Sequence, residues 1–196
     1  MMENNEFEHE ISSFYNELIN SKKEYLQLFS KLQIQIEGWF RGELMKYFND
    51  NVHELTNKNR EVKIPDQEPG KRKKADFKIK INGNCCWIEL KHLLIGNQIN
   101  KSNSFKLDFY FKGYNLSSIV NDIDKLKSVK PDPAYILAFV SVNDSSITSK
   151  DDLETGLGDL LKEFNVSADK IEVDFDNDSR FGYFILKMKP NHNQTY

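Results

Sequence analysis

Apolar residues return every three or four positions through the first quarter of the chain. Phe7, Ile11, Phe14 and Leu18 form one such set, and Leu32, Ile36, Phe40, Leu44 and Tyr47 another. That repeat is the signature of amphipathic helices and predicts helix over about residues 5 to 48. Asn20-Ser21 supplies the expected break, with Ser21 as N-cap of the second helix. Residues 49 to 70 are polar and contain Pro65 and Pro69, which predicts a loop with one short strand at Val62–Ile64.

The period then changes from about four to two. KADFKIKINGNCCWIELKHLL carries two alternating runs around Asn82-Gly83, a dipeptide suited to a two-residue hairpin turn. If the turn closes there, Ile81 faces Asn84, and every facing pair follows from that register. Phe77, Ile79, Ile81, Cys86, Ile88 and Leu90 fall on one wholly apolar face, the expected core side. The other face gathers Asp76, Lys78, Lys80, Cys85, Trp87, Glu89 and Lys91.

Further on, Ser117 to Val129 reads as a helix with Ile119, Val120, Ile123 and Leu126 inward, closed by Pro131 and Pro133. Ala134 to Val142 is almost continuously apolar, as in a strand covered on both faces. Asp151 to Phe164 is a helix whose acidic first turn suits the helix dipole. Ile171–Phe175 and Phe181–Met188 make a terminal hairpin. The order αα-ββ-α-β-α-ββ predicts an α/β fold, a central mixed β-sheet flanked by helices. Residues 1–48 form an N-terminal helical part packed on an α/β core of residues 49–196, in one compact unit.

Composition narrows the class. The 196 residues are 39% hydrophobic, 29% charged and 12% aromatic, with 5 Pro and 9 Gly, which excludes collagen-like, low-complexity and wholly disordered chains. No apolar run approaches the roughly 20 residues a membrane span needs, so no membrane is expected as partner. The acidic start MMENNEFEHE does not read as a secretory signal, and the only cysteines, Cys85 and Cys86, are adjacent. A cytoplasmic protein is the expectation. The net charge of −3 does not announce a nucleic-acid binder, but Lys71-Arg72-Lys73-Lys74 is a dense local basic run. By itself that run is either a solvated loop or a phosphate-binding surface.

In the predicted register Asp76 lies opposite Glu89, with Lys91 next along the same face. Two carboxylates with Cβ atoms about 5 Å apart repel by roughly 3 kcal/mol at an effective dielectric near 20. A bridging divalent cation would turn the repulsion into attraction; a register slip of one residue would separate the pair. Asp76 followed by Glu89-Leu90-Lys91 fits the pattern D-(x)n-(D/E)-x-K. This stretch resembles the PD-(D/E)XK nuclease superfamily, the restriction-endonuclease-like fold. The resemblance covers the hairpin most specifically and reaches loosely to the strand Ala134–Val142. Ala75 stands where that family has Pro.

The resemblance implies a Mg²⁺-dependent deoxyribonuclease, a restriction-type endonuclease being one form it takes, with Mn²⁺ as a substitute and a 5′-phosphate on the product. Asp76 and Glu89 would be metal ligands, joined by the backbone carbonyl of Leu90. Lys91 would orient or help deprotonate the attacking water and stabilise developing charge. The family also offers an acidic residue from an upstream helix. Glu43 is the candidate because it shares the apolar stripe between Phe40 and Tyr47; Glu37 takes its place if the helix is rotated. Lys71, Arg72, Lys73 and Lys74 would hold the backbone of DNA, with RNA left open as substrate. A homodimer through the N-terminal helices suits a double-strand cutter.

Other features stay in the background. Lys101 to Tyr114 interleaves aromatics with lysines, and is either core packing or a stacking surface for bases; Gln98 is a loop residue or a further site residue. His9, His53, His92 and His192 show no metal-ligand spacing, and Gly156-Leu157-Gly158 lies inside a helix. Asp174, Asp176 and Asp178 mimic the start of a calcium loop but fit a hairpin turn better. The rival from another class is a non-catalytic nuclease-like module that binds protein or nucleic acid.

Overall fold

A computed structural model describes residues 5–51, 60–64, 73–81, 83–97, 104–112, 118–127, 129 and 132–189. Lys71, Arg72, Gln98, Asn82, Pro65, Pro69, Pro131, Lys101, Tyr114, His53 and His192 lie outside them. Helices α1 (Asn5–Leu32) and α2 (Glu37–Asn51) lead into strands β1 (Arg60–Lys63), β2 (Lys74–Ile81) and β3 (Asn84–Asn97). After the short β4 (Ser104–Phe105) and a 3-10 helix (Leu107–Phe111) come α3 (Ile119–Leu126), β5 (Ala134–Val142), α4 (Lys150–Glu163), β6 (Ala168–Asp176) and β7 (Phe181–Met188). The sheet runs β1-β2-β3-β5-β7-β6, with β4 against the end of β3. Among the described strands only β3 and β5 pair in parallel, so the sheet is mixed.

Strand periodicity divides the core into two layers. Phe77, Ile79, Ile81, Cys86, Ile88, Leu90, Tyr135, Leu137, Phe139, Tyr183 and Ile185 face α1 and α2. Trp87, Leu93, Ile95, Ile136, Ala138, Val140, Val142, Phe184 and Leu186 face α3, α4 and the 3-10 helix. Burial on both faces accounts for the continuous apolar run of β5. On the α1 side, rings of Phe40, Phe139 and Phe181 stack with centroids 4.3–5.7 Å apart. Tyr15 Oη donates to Phe181 O and accepts from Asp176 N, pinning α1 to the terminal hairpin. Among the described residues, no helix is long and apolar enough to cross a membrane.

The hairpin register is the predicted one: Ile81 pairs Asn84 and Phe77 pairs Ile88, with Gly83 at φ +83° in the turn. The predicted break at Asn20-Ser21 is absent. Both residues are solvent-exposed on α1, and Ser21 Oγ donates to Glu17 O at 2.7 Å, so the helix tolerates the serine. The chain turns instead at Gln33, where φ is +49°. Gln33 N donates to Ser30 O and Ile34 N to Phe29 O, the paired bonds of a Schellman cap that normally ends in glycine.

Gln33→Gly should therefore stabilise the protein. Relief of the left-handed strain, about 1 kcal/mol, outweighs the lost Gln33 Nε2–Ser30 O bond. We expect a melting temperature higher by roughly 1–3 °C in a thermal scan. A lower one would show that the side-chain bond dominates.

The apolar stripe of α1 and α2 is consumed by the chain's own sheet. A homodimer through these helices and the turn between them would have to use Tyr25, Leu28, Leu32 and Ile34, the large apolar residues left exposed among those described.

Candidate active site

The candidate site lies where β2 and β3 part. Their ladder ends at Phe77–Ile88, and the next residue, Asp76, offers its side chain instead of its backbone. Asp76 Oδ2 accepts from Leu90 N at 2.9 Å, and Oδ1 is gripped by Arg41 of α2 at 2.6 Å. Beyond this fork β3 continues beside β5 as far as Ile95.

On the α3 side, Glu89 and Lys91 interrupt the apolar row of Trp87, Leu93 and Ile95. A buried and a half-buried charged position beside a core layer need partners, and α3 supplies them. Asp122 and Lys125 sit one turn apart among Ile119, Ile123 and Leu126, so they share the inward face. Lys125 Nζ pairs with Glu89 Oε1 and lies 3.3 Å from Asp122 Oδ1; Lys91 Nζ lies 2.9 Å from Asp122 Oδ2. Glu89, Asp122, Lys91 and Lys125 thus form a chain of alternating charge under α3.

Burial pushes the Glu89 carboxyl up to about 8, aided by Asp76 and Asp122 and opposed by Lys125. Its other oxygen, Oε2, is buried with no hydrogen-bond partner among the described residues. Burial pulls Lys91 down, but Asp122, then Glu89 and Glu37, outweigh it and hold the ammonium above the ordinary lysine value. Burial likewise raises Glu37; Lys91 draws it back and Asp76 adds to the rise.

These neighbours settle which acid of α2 shares the site's field. Glu37 interacts with Lys91, Asp76 and Arg41, the last at 3.5 Å. Glu43 is half-buried, and its charge is felt by Lys46 further along the helix. Arg41 fixes the phase: Glu37, four residues before it, lies on the same side, whereas Glu43, two residues after, is turned away by about 200°.

His92 sets how α2 meets the site. Its Nδ1 accepts from Ile36 N at 3.1 Å, so Nε2 carries the proton and donates to Ser141 Oγ at 2.9 Å. Burial drives this imidazole down to about 3, and it remains neutral. Gln35 Nε2 adds a bond to His92 O, so the α2 N-terminus is bound to β3 one residue beyond Lys91.

The structure brings Asp76, Glu89, Leu90 and Lys91 together, as the spacing predicted. Lys73 and Lys74 are exposed just before Asp76, with Lys74 Nζ 3.1 Å from Glu61. Lys71 and Arg72 lie outside the described residues. The described part of the aromatic segment is core: Tyr110 and Phe111 are buried, and Tyr110 Oη bonds both N and O of Leu94. Asp174, Asp176 and Asp178 belong to the β6–β7 hairpin, where Ser179 N donates to Asp176 Oδ2 in the turn. Arg41, Asp122 and Lys125 were missed from sequence. Asp122 could have been found, because the 119-122-123-126 spacing puts it on the buried face of its helix.

Among the described residues, no group of three or more His, Cys, Asp or Glu side chains is arranged to hold a metal ion. The pair Asp76 and Glu89 nevertheless fits a hard divalent cation. Both offer oxygen, Glu89 Oε2 is an unsatisfied buried acceptor, and Mg²⁺ keeps several waters and needs few protein ligands. No protein-family model matches the chain, and no curated protein matches it.

Proposed function

We propose that the chain is a Mg²⁺-dependent endonuclease acting on DNA, with a restriction-endonuclease-like site in the β2–β3 fork. The observation that carries this reading is Glu89, a buried carboxyl with one oxygen unpartnered among the described residues, beside Asp76 and two residues before a charged Lys91. Asp76 and Glu89, with the Leu90 carbonyl, would hold the Mg²⁺, whose chemistry there is to neutralise charge on the phosphate and acidify a water.

The chain's own groups do the positioning. Arg41 and the Leu90 amide fix both oxygens of Asp76. Lys91, kept protonated by Asp122, donates to the attacking water or a phosphate oxygen and balances charge that grows as the bond breaks. Glu37 adds the acid that the resemblance places on an upstream helix. Lys73 and Lys74, continuing Lys71 and Arg72, would hold the DNA backbone.

The second reading is a nuclease-like module that binds without cutting. One observation favours it: Asp76, Glu89 and Asp122 each already have a basic partner within the chain. The test is incubation of supercoiled plasmid with wild type and Lys91→Ala in Mg²⁺, Mn²⁺ and EDTA. We expect metal-dependent nicking or linearisation that falls at least a hundredfold in the variant. Absence of cleavage, together with no Asp76- and Glu89-dependent thermal shift in either metal, would favour the binding module.

A further inference from the structure

The α3 lysine over Glu89 has a consequence for how the site would load. Lys125 is largely buried, contacts Glu89 Oε1 directly and is braced by Asp122 at 3.3 Å. Once Glu89 is ionised, this ammonium compensates the very carboxylate that the proposed cation would need. An ammonium and a divalent ion bound to the two oxygens of one carboxylate would sit only a few ångströms apart and repel. Lys125 also has somewhere to go, because a phosphate beside the site offers an anion in place of Glu89.

We propose that Lys125 is an internal counter-ion that competes with the divalent cation for Glu89, so that metal binds tightly only when nucleic-acid phosphate draws the ammonium away. This rests on the metal-site reading above. Metal and DNA would then bind cooperatively: each removes part of the obstacle to the other, and the coupling is reciprocal. Lys125 is a positioning residue in this scheme, and its effect is read in metal affinity, apart from turnover.

The test is Mn²⁺ binding to the full chain by calorimetry and by thermal shift, for wild type, Lys125→Met, Lys125→Gln, Lys127→Met and Glu89→Gln. Lys127 is the charge control: it is the C-cap residue of the same helix but pairs with Asp124 at 2.6 Å. Lys125→Met and Lys125→Gln should bind Mn²⁺ at least tenfold more tightly than wild type, and Lys127→Met within twofold of it. An oligonucleotide that the protein does not cleave under the assay conditions should tighten Mn²⁺ binding in wild type and have little effect in the Lys125 variants. Equal Mn²⁺ affinity in wild type and both Lys125 variants, with binding lost in Glu89→Gln, would overturn the competition while leaving the metal site standing. No Mn²⁺ binding by any variant would overturn both. Melting temperatures in EDTA identify any variant that has not folded, and the two Lys125 substitutions differ enough in polarity for one to serve if the other does not.

Discussion

Replacing Glu89 by Gln should make the protein more stable at pH 8 and change little at pH 5. Glu89 is buried, faces Asp76 and Asp122, and leaves Oε2 without a partner among the described residues. Its folded-state value near 8 lies well above the ordinary 4.5 of a glutamate, so the folded state holds a proton that the unfolded chain has already released. The sign follows: stability from this group is complete below pH 4.5 and is lost as pH rises toward 8. Glutamine is neutral throughout. Its carbonyl still accepts from Lys125, and its amide offers two donors to a neighbourhood rich in carboxylate. Lys125 is not stranded, because Asp122 remains beside it. We expect a gain of about 1–3 kcal/mol at pH 8, a melting temperature higher by roughly 3–9 °C, and a difference that shrinks toward zero at pH 5. Urea unfolding of both proteins at pH 5, 6.5 and 8 measures it. A variant less stable at pH 8, or equally shifted at every pH, would mean that the Lys125 ion pair outweighs the burial of the charge. A residue that costs stability where it stands is what a site built for chemistry is expected to contain.

The hairpin was legible in the sequence because period-two alternation and an Asn-Gly turn together leave one register. That register put Asp76 beside Glu89 and Lys91 on one face, and the structure keeps it. The same alternation made β5 readable as a strand covered on both sides. What could not be read was tertiary phase. Glu43 and Glu37 both lie on a short helix carrying apolar residues, and only the bond from Arg41 to Asp76 decides which faces the fork. The break between the helices was misplaced for a local reason: Ser21 satisfies itself on Glu17 O, whereas the real cap depends on an uncommon left-handed glutamine. Trp87, assigned to a polar face, is buried beneath Lys78 and donates Nε1 to Asp132, so that face is covered, not open. Lys125 carried no signal until α3 was placed over β3.

Asp76 separates two roles that a simple alanine replacement would confuse. Its Oδ2 is the acceptor for Leu90 N, and its Oδ1 holds Arg41, whose Nε is itself buried without a partner among the described residues. Asp76→Ala removes both at once. A backbone donor in the fork then lacks its acceptor, and among the described residues a half-buried guanidinium is left with Glu37 at 3.5 Å. We expect a loss of about 2–4 kcal/mol, enough to lower the melting temperature by roughly 5 °C or more. Asp76→Asn keeps a carbonyl that can accept from Leu90 N and relieves the repulsion with Glu89, but turns its amide donors toward Arg41, so it should cost less than alanine, about 1–2 kcal/mol. Both substitutions take away the anionic oxygen that the proposed cation requires, and both should abolish any Mn²⁺-dependent thermal shift and any cleavage. The asparagine variant is thus the informative one: folded like wild type, silent toward metal. If Asp76→Asn kept a wild-type response to Mn²⁺, Asp76 would be a structural acceptor for the β2–β3 fork and nothing more, and the metal would have to be sought elsewhere.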